Sequence, residues 1–178
     1  TWAPVEDAPK GLMVQRMKYN GDGKIVLTYA STEGPWNNPR GNGGIRLLNI
    51  ADDSITDITP EKNGYGDVVI DPANPDRMVA VTENVYDQQA NGTFGDDFYV
   101  TTDGGKTWKN INLDMTMSGG DVSWHNESSM HWCSSLAIDP HNTGKIMVVS
   151  GNGIFSCDNI WDEHPAFYFF AEGIEETV

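Results

Sequence analysis

Short apolar runs alternate with turn residues along this chain, and no stretch carries a long helical period. Runs of β-branched and aromatic residues bounded by Gly, Pro, Asn and Asp read as strands. Residues 68–81 hold two such runs, Val68-Val69-Ile70 and Met78-Val79-Ala80-Val81, joined through Asp71-Pro72. Residues 136–149 repeat the arrangement with Leu136-Ala137-Ile138, Asp139-Pro140 and Ile146-Met147-Val148-Val149. Each copy predicts a strand, a turn opened by Asp-Pro, and a second strand. Proline stops the first strand because it has no N–H for the ladder. The second strand is apolar at nearly every position, which predicts burial on both faces. Third strands are expected at 98–100 and 153–159, and fourth strands at 108–113 and 166–171. A less regular unit precedes them, with strands at 23–29, 44–50 and 54–58 and a hairpin at Asp52-Asp53.

Four antiparallel strands per repeat form the blade of a propeller. The pattern therefore predicts an all-β fold: a β-propeller arc of about three four-stranded blades, near 11–59, 60–115 and 130–172, within a larger propeller. Between the third and fourth strands of the middle unit lies Thr101-Thr102-Asp103-Gly104-Gly105-Lys106-Thr107-Trp108. This Thr-x-Asp-x-Gly-x-Thr-Trp run resembles the Asp-box (BNR repeat), a hairpin signature of one class of β-propellers. Asp103 can accept bonds from its own turn. Gly104 and Gly105 suit a turn with positive φ. Trp108 is expected to fold its ring over the turn. Thr101, Asp103, Gly105, Thr107 and Trp108 thus read as structural, and Ser156-x-Asp158 reads as a degenerate copy. An open arc would expose unpaired strand edges, so the remaining blades are expected on another chain or fragment.

The order of elements resembles the xyloglucan-degrading enzymes of glycoside hydrolase family seventy-four. The matching residues are Gly21-Asp22-Gly23 before the strand at 25–29, Gly34-Pro35-Trp36, and Gly64-Tyr65-Gly66 with Ile70-Asp71-Pro72. Further matches are Met130-His131-Trp132 with the Asp139-Pro140 strand, Gly151-Asn152-Gly153-Ile154, and Gly173-Ile174-Glu175-Glu176-Thr177. The resemblance implies a seven-bladed propeller, an inverting glycosidase, and a second propeller segment opening at 173–178. It places both catalytic aspartates outside this chain, so no catalytic residue is assigned.

Composition narrows the partners. The 178 residues carry 26 acidic and 11 basic side chains, a formal net charge of −15. A phosphate backbone would be repelled, so nucleic acid is excluded as a partner, and an anionic membrane is disfavoured. No apolar run approaches the ~20 residues of a membrane span. Asn91-Gly92-Thr93 and Asn126-Glu127-Ser128 fit the glycosylation sequon, in keeping with a secreted, extracellular protein. The start, Thr1-Trp2-Ala3-Pro4-Val5, reads as a processed product or a piece of a longer chain. Cys133 and Cys157 are expected as two buried thiols, two strand spacings apart in one blade.

Sugars stack on exposed aromatic rings while polar groups hold their hydroxyls. Trp36, Trp132, Tyr86 and Trp124, with His131 as a donor, are the candidate substrate-binding residues for a polysaccharide or oligosaccharide. Asp96-Asp97 and Asp52-Asp53 read as solvated loop pairs, since adjacent carboxylates on an extended chain cannot straddle a glycosidic bond. Asp67 and Asp121 lie near strand entries and are weaker candidates. The histidines lack metal-ligand spacing, and Asn20-Gly21-Asp22-Gly23 reads as a plain turn, so no metal or cofactor is expected. Two rivals stand beside the hydrolase: a noncatalytic carbohydrate- or protein-binding propeller, and a propeller polysaccharide lyase.

Overall fold

The computed structural model describes residues 7–31, 42–83, 95–119, 130–151 and 153–170. Among these residues the fold is all-β, in three sheets. The first runs β1 (Leu12–Tyr19), β2 (Lys24–Ser31), β3 (Gly43–Asn49), β4 (Ile55–Asp57) in spatial order. The second runs β5 (Tyr65–Ile70), β6 (Met78–Thr82), β7 (Phe98–Thr101), β8 (Lys109–Asn110). The third contains β10 (Ser135–Asp139), β11 (Asn142–Ser150), β12 (Gly153–Cys157) and β13 (Ala166–Phe169), closed by β9 (Thr116–Ser118). Within each sheet, strands consecutive in sequence pair antiparallel; β9 pairs with β13 in parallel, with Met117 opposite Phe167.

The Asp-Pro repeat reappears as matched register. Ile70 faces Met78 across one hairpin, and Ile138 faces Ile146 across the other. In each, an aspartate Oδ1 accepts the N–H two residues on: Ala73 to Asp71 and His141 to Asp139, both at 2.8 Å. Asn20 does the same for Asp22 at 2.9 Å in the first sheet, so the Asn20-Gly21-Asp22-Gly23 segment is an Asx turn.

The second sheet is buried on both faces, as its continuous apolar runs predict. Val68, Ala80 and Tyr99 pack toward Val26 and Ile45 of the first sheet. Val69, Val81 and Phe98 pack toward Val148, Phe155 and Phe167 of the third. The Phe98 and Phe167 rings lie 5.5 Å apart. Each fully buried ring contributes about 1.5–3 kcal/mol. Outer contacts tie the sheets further. Trp108 Nε1 donates to Ile58 O at 2.7 Å, giving this ring a partner in the preceding sheet beyond its own turn. Arg77 of the second sheet sits 5.5 Å from the Trp161 ring of the third.

The Thr101–Trp108 turn is held by local bonds. Thr107 N and Oγ1 donate to Asp103 at 2.9 and 2.6 Å, and Thr101 Oγ1 donates to Asp103 Oδ1 at 2.8 Å. Gly104 and Gly105 take φ of 73° and 84°. The corresponding turn of the third sheet differs from the Ser156-x-Asp158 expectation by one residue. Cys157 Sγ donates to Asn159 Oδ1 at 3.3 Å, and Ala166 N donates to the same oxygen at 2.9 Å. Asn159 therefore stands where Asp103 stands, and Asp158 faces outward to Lys145 and Tyr168.

Candidate functional site

Antiparallel pairing places Ser31, Gly43, Thr82, Phe98, Ser150 and Gly153 at one end of their sheets. The entries to β5 and β10 join this end. A Cβ on Gly43 would collide with Asn63 O, and one on Gly66 with Cys133 O, so glycine alone permits these approaches. The opposite end carries the Asx turns and the Thr101–Trp108 turn.

Residues 130–133 lie at the first end, just before β10. Asp96 N donates to Met130 O at 2.8 Å, and Cys133 N donates to Asp96 Oδ2 at 2.8 Å. Gly151 N donates to His131 O at 2.6 Å. Between these anchors Trp132 takes φ 56° and leaves 44% of its surface exposed. A bulky residue in left-handed backbone is strained, and such strain persists only where surrounding bonds impose it. The chain thus fixes the backbone of a large aromatic residue while leaving it open to solvent. His131 is half-buried beside it. Trp36, Tyr86 and Trp124, with Asp121, lie outside the described residues.

The acidic residues at this end are committed to structure. Asp96 and Asp97 are buried, at 0% and 3% exposure, which corrects their reading as solvated loop carboxylates. Thr82 Oγ1 donates to Asp96 Oδ1 at 3.1 Å, and Asn110 Nδ2 to Asp97 Oδ1 at 3.4 Å. Asp67 is fully buried and ties three first-in-sheet strands together. It accepts Val68 N and Leu136 N at 2.8 Å each and pairs with Lys18 of β1 at 3.6 Å. Asp52 and Asp53 do sit exposed in their hairpin, and bonds from Ser54 lower the Asp52 pKa.

Two charged residues that sequence reasoning missed join this end. Arg16 Nη2 donates to Ser134 O at 2.8 Å. Glu83 is half-buried beside β5, its carboxyl pushed up by desolvation and held back by the Arg16 charge. No local spacing could have paired residues so far apart; only the strand order brings them together. Cys133 and Cys157 are buried and unbridged. Desolvation raises both thiols, Cys157 to about 11, so neither is a ready nucleophile. Among the described residues no group of three or more His, Cys, Asp or Glu side chains could hold a metal ion.

No protein-family model matches the chain. It is 28% identical over 210 aligned residues to xyloglucanase Xgh74A of Acetivibrio thermocellus, covering 100% of this chain and 24% of that protein. It is 25% identical over 232 residues to an oligoxyloglucan-reducing end-specific xyloglucanase of Emericella nidulans, covering 98% and 28%. Among solved structures, a Niastella koreensis enzyme of glycoside hydrolase family seventy-four superposes with TM-score 0.83 and 31% identity, over 95% of this chain and 25% of that one. A xyloglucanase of the same family from Xanthomonas campestris gives 0.78 and 27%, over 95% and 24%. The chain thus resembles the β-propeller structures of this family, and it spans about a quarter of the length of these proteins.

Proposed function

We propose that the protein carrying this chain is an extracellular glycoside hydrolase that cleaves xyloglucan or a related β-glucan. In this reading the chain supplies one wall of the glycan cleft. The carrying observation is Trp132, whose strained backbone is fixed on both sides and whose surface remains open. A sugar face stacking on that ring would gain apolar contact at little ordering cost, because the support is already rigid. His131 lies beside that ring and serves as a donor in this reading, and Trp36, Tyr86 and Trp124 are proposed from the sequence as further sugar contacts. The acid and base of an inverting hydrolysis, one protonating the leaving oxygen and one activating water, come from outside this chain. The structural duties of Asp67 and Asp96 support that assignment. Further blades cover the apolar residues that β1 exposes, Met17 and Tyr19, and those of the third sheet, Val149 and Phe170.

The test uses the purified intact protein. Reducing ends should appear from xyloglucan, with the inverted anomer first by NMR. Trp132→Ala should weaken xyloglucan-oligosaccharide binding roughly tenfold, which corresponds to ~1.4 kcal/mol, while Trp132→Phe retains part of it. Tight binding without cleavage would favour the noncatalytic propeller, and unsaturated products the lyase. Unchanged binding by Trp132→Ala removes the platform.

A further inference from the structure

A recess of about 270 Å³ lies beside the first sheet, lined by Lys10, Leu12, Asn42, Arg46, Asp57 and Lys62. A lining of three cationic side chains and one carboxylate is unexpected in a chain with 26 acidic and 11 basic residues. The carboxylate is already engaged. Asp57 Oδ1 accepts Arg46 Nη1 at 2.6 Å and Thr59 N at 3.0 Å. Arg46 Nη1 also donates to Thr59 Oγ1 at 2.6 Å, so the guanidinium is fixed by its neighbours. Among the described residues, Lys10 and Lys62 form no ion pair and Asn42 makes no side-chain hydrogen bond. With the Asp57 carboxylate taken by Arg46, the two lysines that line the recess leave it with a positive excess, which favours a bound anion. The recess borders Gly43 at the start of β3 and Leu12 at the start of β1, so it opens at the same end as Trp132.

We propose that this recess is a subsite for a carboxylate-bearing sugar, a uronic acid. Lys10 and Lys62 pair with its carboxylate, the Asn42 amide binds a ring hydroxyl, and Leu12 meets an apolar ring face. The volume falls just below the ~300–1,000 Å³ of drug-sized sites, which suits one ring. The choice of a sugar acid over a bare anion rests on the glycan reading above; the cationic recess itself does not.

Titration calorimetry on the intact protein with glucuronate, methyl glucoside and inorganic sulfate at constant ionic strength tests the proposal. Glucuronate should bind at least tenfold more tightly than either control. The Lys10→Gln/Lys62→Gln pair should lose that preference at an unchanged unfolding midpoint, and Asn42→Ala should lose part of it. Glucuronate binding no tighter than methyl glucoside, or insensitive to the lysines, overturns the subsite. Sulfate binding as tightly as glucuronate reduces it to a bare-anion patch and overturns the sugar assignment. The outcome is separate from hydrolysis. A protein that leaves xyloglucan intact yet binds glucuronate through these lysines defeats the hydrolase reading and keeps the subsite; cleavage without glucuronate binding does the reverse.

Discussion

Asp103 shows how one side chain can close a turn. Its carboxylate takes bonds from Thr101 and from both donors of Thr107, and these lower its pKa to about 2. A carboxyl held below its unfolded value stabilises the fold fully above that value, about 3.9. The contribution fades as pH falls through about 2. Asp103→Asn keeps the acceptor oxygen and removes the charge. The variant should therefore have a lower urea midpoint at pH 6, and the gap to the parent should narrow steadily below about pH 4. A constant gap would mean that the charge has no part in it. This turn was legible in the sequence because every partner of Asp103 lies within four residues. The matching turn at Asn159 was displaced by one residue, since a thiol and an amide replace the hydroxyl and carboxylate and leave no familiar spacing. Asp96 and Asp97 were misread for the opposite reason: the groups that bury them, Thr82, Asn110 and Cys133, are distant in sequence.

At the scale of elements, β5 is the strand on which its neighbours converge. Asp67 reaches from it to Lys18 of β1 and to Leu136 of β10, so one carboxylate bridges three sheets. Asp67→Ala orphans the buried Leu136 N–H, at a cost of about 1–3 kcal/mol. The expected result is a lower unfolding midpoint together with faster hydrogen exchange at the Leu136 amide; protection left intact would show that another group holds that strand. The paired strands of the second sheet were readable because burial on both faces makes them continuously apolar. β1 was not. A bulge between Val14 and Arg16 breaks its alternation, and Met17 and Tyr19 lie exposed, so no period marks it as a strand. β9 was missed because three residues in parallel with a strand far along the chain leave no local signal. Of the candidate site, the sequence offered Trp132 through its neighbours and its family match but not the strained, anchored backbone beneath it, and the Lys10–Lys62 recess depends on strand entries that only the fold brings together.

Across the whole molecule, the sheets are stitched rather than merely stacked. Two apolar interfaces, the Trp108–Ile58 bond, the Arg77–Trp161 contact and the Asp67 bridge each cross from one sheet to the next. The parallel pairing of β9 with β13 adds a different kind of closure. The strand leaving the second sheet completes the rim of the third before the chain enters β10, so the polypeptide clasps its own later segment. A protease cut made between β9 and β10 should then leave two pieces that migrate as one on a native gel and separate only in denaturant. Such a clasp also sets an order of events during synthesis: the rim strand emerges first and waits, unpaired, for a partner some fifty residues behind it. Until that partner arrives, this short segment is the point at which a chaperone or a neighbouring nascent chain can intrude.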